Sequence, residues 1–331
     1  MNIIKNIFSI EKNVDYKIIH FLFLKIKLRK RLLNSTLLSI TDEILKKQKL
    51  ILDNETKIFN LYQKPKAKST LPFLSIHLVD KCNNNCQACS HFCTLADDFV
   101  IDLEDYARQL KILSQKFFIN EIDLMGGEPL LHPHIAKIFD ITRDILKNTH
   151  ICLHTNAILL PKMNQEFWDS CRKNRVSFKI TKYPVIKDFT SLVDLCLDNN
   201  IWISGIINGK EFLHWMDRSG NGSICENFHA CKTKFGYCYI LRNYRLYTCP
   251  TACYMDLYNK HFDVNMPVEK GIDIISATSE DILQYLRTPI DNCKFCRNVL
   301  KLKPREWKRT SRLIGEWDDI TFLKADENVR S

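Results

Sequence analysis

Residues 82–89 read CNNNCQAC, placing Cys82, Cys86 and Cys89 four and then three residues apart in a short polar stretch. Thiols this close together are soft metal ligands, yet three of them leave a tetrahedral site one protein ligand short. A closed zinc site takes four ligands, usually as two pairs, and a disulfide framework needs an oxidising compartment. An iron-sulfur cluster held by three thiolates suits the set better, because thiolates select iron and the open iron can bind a small molecule. Just before the thiols, LSIHLV (74–79) reads as a strand leaving a core, which puts them on a loop at its C-terminal end.

A second landmark, MGGEPLLHP (125–133), lies between EIDL (121–124), which has strand character, and IAKIFDITRDILK (135–147), which has helical spacing. Glycines at such a turn let the backbone approach a ligand closely, and Glu128 can accept from an ammonium group. With CxxxCxxC after one strand and GGEP after the next, the chain resembles the radical S-adenosylmethionine (SAM) superfamily. The resemblance implies that Cys82, Cys86 and Cys89 hold a 4Fe-4S cluster whose fourth iron is chelated by SAM, with Gly126, Gly127, Glu128 and Pro129 flanking the methionyl amine. CLHTNAILL (152–160) reads as a strand ending in Thr155 and Asn156, which resembles a strand end that contacts SAM in the superfamily; a buried strand with an Asn turn accounts for them equally. Gly205 and Gly209 in ISGIINGKE are a weaker candidate for backing the adenine. Ala88 stands where an aromatic residue often precedes the third cysteine.

Seven more cysteines fall in the last 110 residues: Cys225, Cys231, Cys238, Cys249, Cys253, Cys293 and Cys296. One Cys, a hairpin ending in Cys-Pro and a distant CxxC resemble the auxiliary-cluster pattern of SPASM and twitch extensions. That implies one auxiliary 4Fe-4S cluster on Cys231, Cys249, Cys293 and Cys296, with Cys238 in reserve; a zinc ribbon would use the same ligand types. In LRNYRLYTCP (241–250) Tyr244 replaces the usual turn glycine, which predicts a looser or shifted turn with Asn243 taking positive φ. Cys93, Cys152, Cys171, Cys196, Cys225 and Cys253 are left as buried small hydrophobes.

The formal charge is +10, but residues 1–70 hold 15 Lys or Arg against 6 Asp or Glu, so only +1 belongs to residues 71–331. That asymmetry argues against nucleic acid as a partner of the body. At the N-terminus IIHFLFL (18–24) runs into KIKLRKR (25–31), an apolar run too short to span a bilayer beside a basic cluster. This predicts peripheral contact with an anionic membrane through residues 1–33, the alternative being a small β-hairpin with solvated charges. The leader is similar to those of capsule and lipopolysaccharide glycosyltransferases. Fourteen thiols without a signal peptide predict a cytoplasmic protein, peripheral at the inner face of the membrane.

The expected fold is α/β: a basic extension over 1–70, including a helical stretch at 34–63, then a partial (β/α)6 TIM-like barrel over 71–220. A small α+β twitch-like domain over 221–300 and a tail over 301–331 complete it. The resemblance implies a radical SAM oxidoreductase, reduced by a flavodoxin or ferredoxin, that takes a hydrogen atom from a sugar or polyol in surface-glycan biosynthesis. Maturation of a peptide or protein is the alternative reading, and a non-catalytic zinc scaffold a further one. His91 and Tyr183, near predicted strand ends, are candidates for substrate contact.

Overall fold

The computed structural model describes residues 8–12, 16–21, 24–29, 46 and 68–317. Two compact units emerge, Met1–Ala67 and Lys68–Ser331. In the first, β1 (Phe8–Lys12), β2 (Tyr16–Phe21) and β3 (Leu24–Arg29) form a three-stranded antiparallel sheet in that order. The described residues between 8 and 29 are thus strands, as in the hairpin alternative. Among residues 34–63 only Lys46 is described, and it is helical; the rest of that expected helix lies outside the described residues.

The second unit is built on an eight-stranded, mostly parallel sheet. Five strands follow one another in order and in parallel: β4 (Ser69–Val79), β5 (Phe117–Gly126), β6 (His150–Thr155), β7 (Val176–Lys182) and β8 (Ile203–Asn208). Helices α1 (Leu103–Lys116), α2 (Ile135–Ile145), α3 (Gln165–Asn174) and α4 (Phe189–Asp198) make the crossovers. Side-chain caps start three of them: Asp102 for α1, Asn164 for α3 and Asp188 for α4. Parallel strands need such crossovers, and the fold is the partial TIM-like barrel expected. The sixth parallel strand, β10 (Ile240–Arg242), does not follow β8. It pairs with β4 at the opposite edge, and its hairpin partner β11 (Arg245–Tyr247) and β12 (Ile272–Asp273) extend the sheet beyond it.

The two faces of the sheet differ. Toward the helices it presents Leu74, Ile76, Leu78, Ile122, Leu124, Ile151, Leu153, Phe178 and Ile180, all buried in one apolar core. A second core joins Phe92 of the cysteine loop to Ile240, Tyr247, Tyr254, Tyr258 and Trp317, so residues on both sides of position 220 share it. The remaining elements are β9 (Glu211–Phe212), α5 (Ile224–Phe235), α6 (Pro250–Cys253), α7 (Met255–Phe262), α8 (Ser279–Arg287) and β13 (Arg305–Glu306).

The β10–β11 turn corrects the sequence reading. Arg242 pairs with Arg245, leaving a two-residue loop in which Asn243 (φ 49°) and Tyr244 (φ 60°) are both left-handed. This is the geometry of a tight type I′ hairpin rather than a loosened one. Tyr244 is held there by docking on α1: its N–H donates to Gln109 Oε1 (2.9 Å) and its hydroxyl to Asp105 Oδ1 (2.8 Å).

Candidate active site

The loop carrying Cys82, Cys86 and Cys89 leaves β4 where the β4–β5 register shifts between His77 and Val79. It is fastened to the GGEP turn by backbone: Gly127 N donates to Val79 O and Glu128 N to Lys81 O, each at 2.9 Å. The glycines explain the closeness. A Cβ on Gly126 (φ +152°) would lie 2.1 Å from Val79 O, and one on Gly127 2.1 Å from Lys81 O. The close approach that the sequence suggested is therefore made to the chain's own cysteine loop.

Glu128 faces inward. Its carboxylate, 1% exposed, accepts from Thr155 Oγ1 (2.6 Å), Asn156 N (2.9 Å) and Leu130 N (3.2 Å), capping the 3-10 turn at Pro129–Leu131 and latching the end of β6. Burial pushes its pKa up to about 7 against the pull of those hydrogen bonds. Asn156 Nδ2 in turn donates to Asn83 Oδ1 in the cysteine loop (2.7 Å). Gly126, Gly127, Thr155 and Asn156 line the same large cavity as the three cysteines, whereas Glu128 and Pro129 are buried behind it. Gly209 also lines it; Gly205 and Ala88 do not.

This cavity, about 1100 Å³, also reaches the second cysteine group. Cys231 lies on α5, Cys249 caps α6 with its sulfur accepting from Ala252 N (3.4 Å), and Cys293 and Cys296 sit in and just after a 3-10 turn. Asn227 on α5 clamps that turn, donating to Cys293 O (3.0 Å) and Cys296 O (2.5 Å). All four thiols and Cys238 line the cavity. Burial pushes these thiols up, Cys231 to about 11 and Cys249 to about 12.

Two features were not read from the sequence. Cys93, taken as a buried hydrophobe, lines the cavity beside Cys89, its S–H donating to His91 O (3.8 Å); the signal was its spacing four residues after Cys89. Of the other five cysteines left aside, Cys152, Cys171, Cys196 and Cys253 are buried and Cys225 is exposed. The second feature is the inner wall of the barrel. Lys179 Nζ bridges Asp123 (3.1 Å) and Glu121 (3.2 Å), His154 Nδ1 lies 3.8 Å from Asp123, and His154 Nε2 meets Thr181 Oγ1 at 3.2 Å. Period-two spacing of polar residues, Glu121/Asp123 and Lys179/Thr181, was the signal. His91 and Tyr183 both face the cavity; His91 Nδ1 is 2.6 Å from His77 Nε2, whose Nδ1 is 2.8 Å from Asp80. Burial holds both imidazoles below their ordinary range, so they are neutral.

Residues 76–184 match the family model for the Radical SAM superfamily, so the chain carries a domain of that superfamily there. Its cofactors are a 4Fe-4S cluster and SAM. Among curated proteins, the GTP 3',8-cyclase of Clostridium perfringens (strain SM101 / Type A) is 28% identical over 151 residues, 42% of this chain and 46% of that protein. That of Sulfurovum sp. (strain NBC37-1) is 27% identical over 194 residues, 50% and 59% of the respective chains. The chain spans about half the length of these curated relatives. Among solved structures, that of BtrN in complex with AdoMet and 2-DOIA aligns with 70% of this chain and 95% of its own, at 18% identity and a TM-score of 0.45.

The residues present fit the cofactors. Three clustered thiols share a cavity wall with the glycine turn and the end of β6, and soft thiolates are the donors an iron-sulfur cluster takes. Zinc with Zn–S of about 2.3 Å would draw its thiols to within about 4 Å of one another. Among the described residues no group of three or more His, Cys, Asp or Glu side chains is arranged to hold a single metal ion.

Proposed function

We propose that this protein is a radical SAM oxidoreductase that oxidises or otherwise remodels a sugar or polyol in surface-glycan biosynthesis. When bound, the cluster and SAM supply one-electron cleavage of the sulfonium and a 5′-deoxyadenosyl radical that abstracts hydrogen. Cys82, Cys86 and Cys89 would hold the first cluster; Cys231, Cys249, Cys293 and Cys296 would hold a second, which would supply an electron acceptor. Gly126 and Gly127 shape the SAM site, and Glu128 fixes Thr155 and Asn156 within it.

The observation that carries the substrate class is the chemistry of the cavity wall. Barrel interiors are ordinarily filled by branched apolar side chains, and buried charges are costly to keep. Here Glu121, Asp123, His154, Lys179 and Thr181 face the cavity, a set of donors and acceptors matched to several hydroxyls at once. Phe73, Phe212 and Trp215 border the same space and suit the C–H face of a ring. Polar wall and thiols open onto one cavity, so a ligand on the wall is within the radical's enclosure.

A nucleotide is the second reading. Lys232 and Lys234 line the α5 side of the cavity, where they would pair with phosphate, and the curated relatives are named for GTP. Reduction by a flavodoxin or ferredoxin, and peripheral contact of residues 1–33 with an anionic membrane, belong to the same proposal. Among the described residues no helix is long and apolar enough to cross a membrane.

The test is isotopic. Anaerobically reconstituted protein is given SAM, dithionite and, one at a time, perdeuterated hexoses, inositols, sugar nucleotides and GTP, and 5′-deoxyadenosine is analysed for deuterium. Transfer from a sugar or inositol supports the first reading and transfer from GTP alone the second. Unlabelled 5′-deoxyadenosine throughout, with label transferred from a deuterated peptide, would replace both by peptide maturation.

A further inference from the structure

Residues 304–317 run back across the cysteine loop. After β13 pairs with β9, Gln87 N donates to Lys308 O (2.9 Å), Thr310 N donates to Asn85 O (3.0 Å), and Cys86 and Arg309 form an antiparallel bridge. Glu316 fastens the return by accepting from Thr310 Oγ1 and from Ser311 N (2.8 Å). Trp317, 2% exposed, packs on Phe92, Tyr258 and Phe262, and its indole N–H donates to Cys89 O (3.0 Å). The segment is thus a strap sewn to the loop at Asn85, Cys86, Gln87 and Cys89.

Within the strap one donor is left over. The indole N–H of Trp307 is buried and has no hydrogen-bond partner. Buried N–H groups nearly always find a partner, and an exception calls for a reason. The bridge between Cys86 and Arg309 brings it beside the Cys86 thiol, and Tyr183 lines the cavity next to the same thiol. The Tyr183 and Trp307 rings are 6.0 Å apart. A protonated thiol is a weak acceptor and an iron-bound thiolate a strong one, so the orphaned N–H gains its full partner only when metal is bound.

We infer that Trp307 and Tyr183 are positioning residues that donate hydrogen bonds to the Cys86 thiolate of the first cluster, the strap 304–317 being the element that delivers the indole. This rests on the reading that Cys82, Cys86 and Cys89 hold that cluster. Hydrogen bonds to cluster sulfur stabilise the added electron and raise the reduction potential.

The test is a redox titration of the reconstituted full-length protein with SAM, followed by the SAM-sensitive part of the EPR signal. Trp307→Phe keeps the ring and removes the N–H. At the wild-type midpoint its ratio of reduced to oxidised cluster should fall about tenfold, equivalent to about 59 mV for a one-electron couple. Tyr183→Phe, which leaves the strap untouched, should move the ratio the same way, and the double variant further than either. Full iron content with an unmoved ratio in both single variants overturns the inference alone. If Trp307→Phe loses iron through failure of the strap, Tyr183→Phe decides. A wild-type protein with no SAM-responsive signal overturns the cluster reading, and the inference with it.

Discussion

The two cysteine groups share a cavity but are built in opposite ways. Cys82, Cys86 and Cys89 come from one loop of eight residues, and nearly all of their positioning is backbone pressed on backbone: Gly126 against Val79, Gly127 against Lys81, the strap against Asn85 and Gln87. Cys231, Cys249, Cys293 and Cys296 come from a helix, a helix cap and a 3-10 turn, joined by side chains such as Asn227. The first group depends on the absence of side-chain bulk and the second on particular side-chain partners. A site of the first kind should be fragile to small additions, and one of the second kind to deletions.

The largest test of that contrast removes each group in turn. Wild type should bind about eight irons after anaerobic reconstitution, and either set of alanine substitutions should leave about four. SAM cleavage should vanish when Cys82, Cys86 and Cys89 are replaced, and persist without product when Cys231, Cys249, Cys293 and Cys296 are replaced. Zinc in place of iron in the wild type would end the enzyme reading and leave a scaffold.

Next in size is Gly127→Ala. The added methyl cannot fit 2.1 Å from a carbonyl oxygen, so the loop must move, at a cost of about 3 kcal/mol or more and with loss of iron at the first site only. Gly205→Ala, whose Cβ meets nothing nearer than Lys179 Cγ at 3.7 Å, should change neither melting temperature nor iron content.

Glu128 sharpens the comparison through pH. Its folded-state pKa is raised from 4.5 to about 7, so the protonated carboxyl contributes stability that is complete below about 4.5 and lost as pH rises through about 7. Thermal denaturation should show wild type losing stability across that window more steeply than Glu128→Gln, by about 2–3 kcal/mol overall. Equal slopes would mean the carboxylate is not desolvated as described.

The extra thiols separate ligand from neighbour. Cys93→Ala should retain iron at the first site, because Cys93 lies beside Cys89 with its S–H turned to His91 O; loss of about four irons would make it a ligand. The smallest effect is expected at the β10–β11 turn. Tyr244→Gly creates Asn-Gly, the favoured type I′ pair, and its relief of left-handed strain should nearly offset the lost Asp105 contact. Tyr244→Ala keeps the strain and loses the contact, so it should be about 1 kcal/mol less stable than the glycine variant by urea denaturation.

What was legible in the sequence follows the same division. The first thiols, the glycine turn and the order of β4 to β6 are written in contiguous residues whose spacing is itself the geometry. Glu128 was legible as an important carboxylate but not as an inward-facing one, since orientation depends on Thr155 and Asn156 from another strand. The strap could not be read at all: its hold on the loop is by main-chain N–H and C=O groups, which every sequence contains, and only Trp307 and Trp317 hinted at burial. The placement of β10 beside β4 was equally hidden, because a three-residue strand carries too little pattern to announce its partner.

The strap also orders events in the life of the chain. Trp317 meets the carbonyl of Cys89 across 228 residues of sequence, so during synthesis the cysteine loop is made early and covered late. Contacts of such long separation are the last that a folding chain can make. Until the strap closes, the cysteine loop lacks the contacts at Asn85, Gln87 and Cys89 that fasten it.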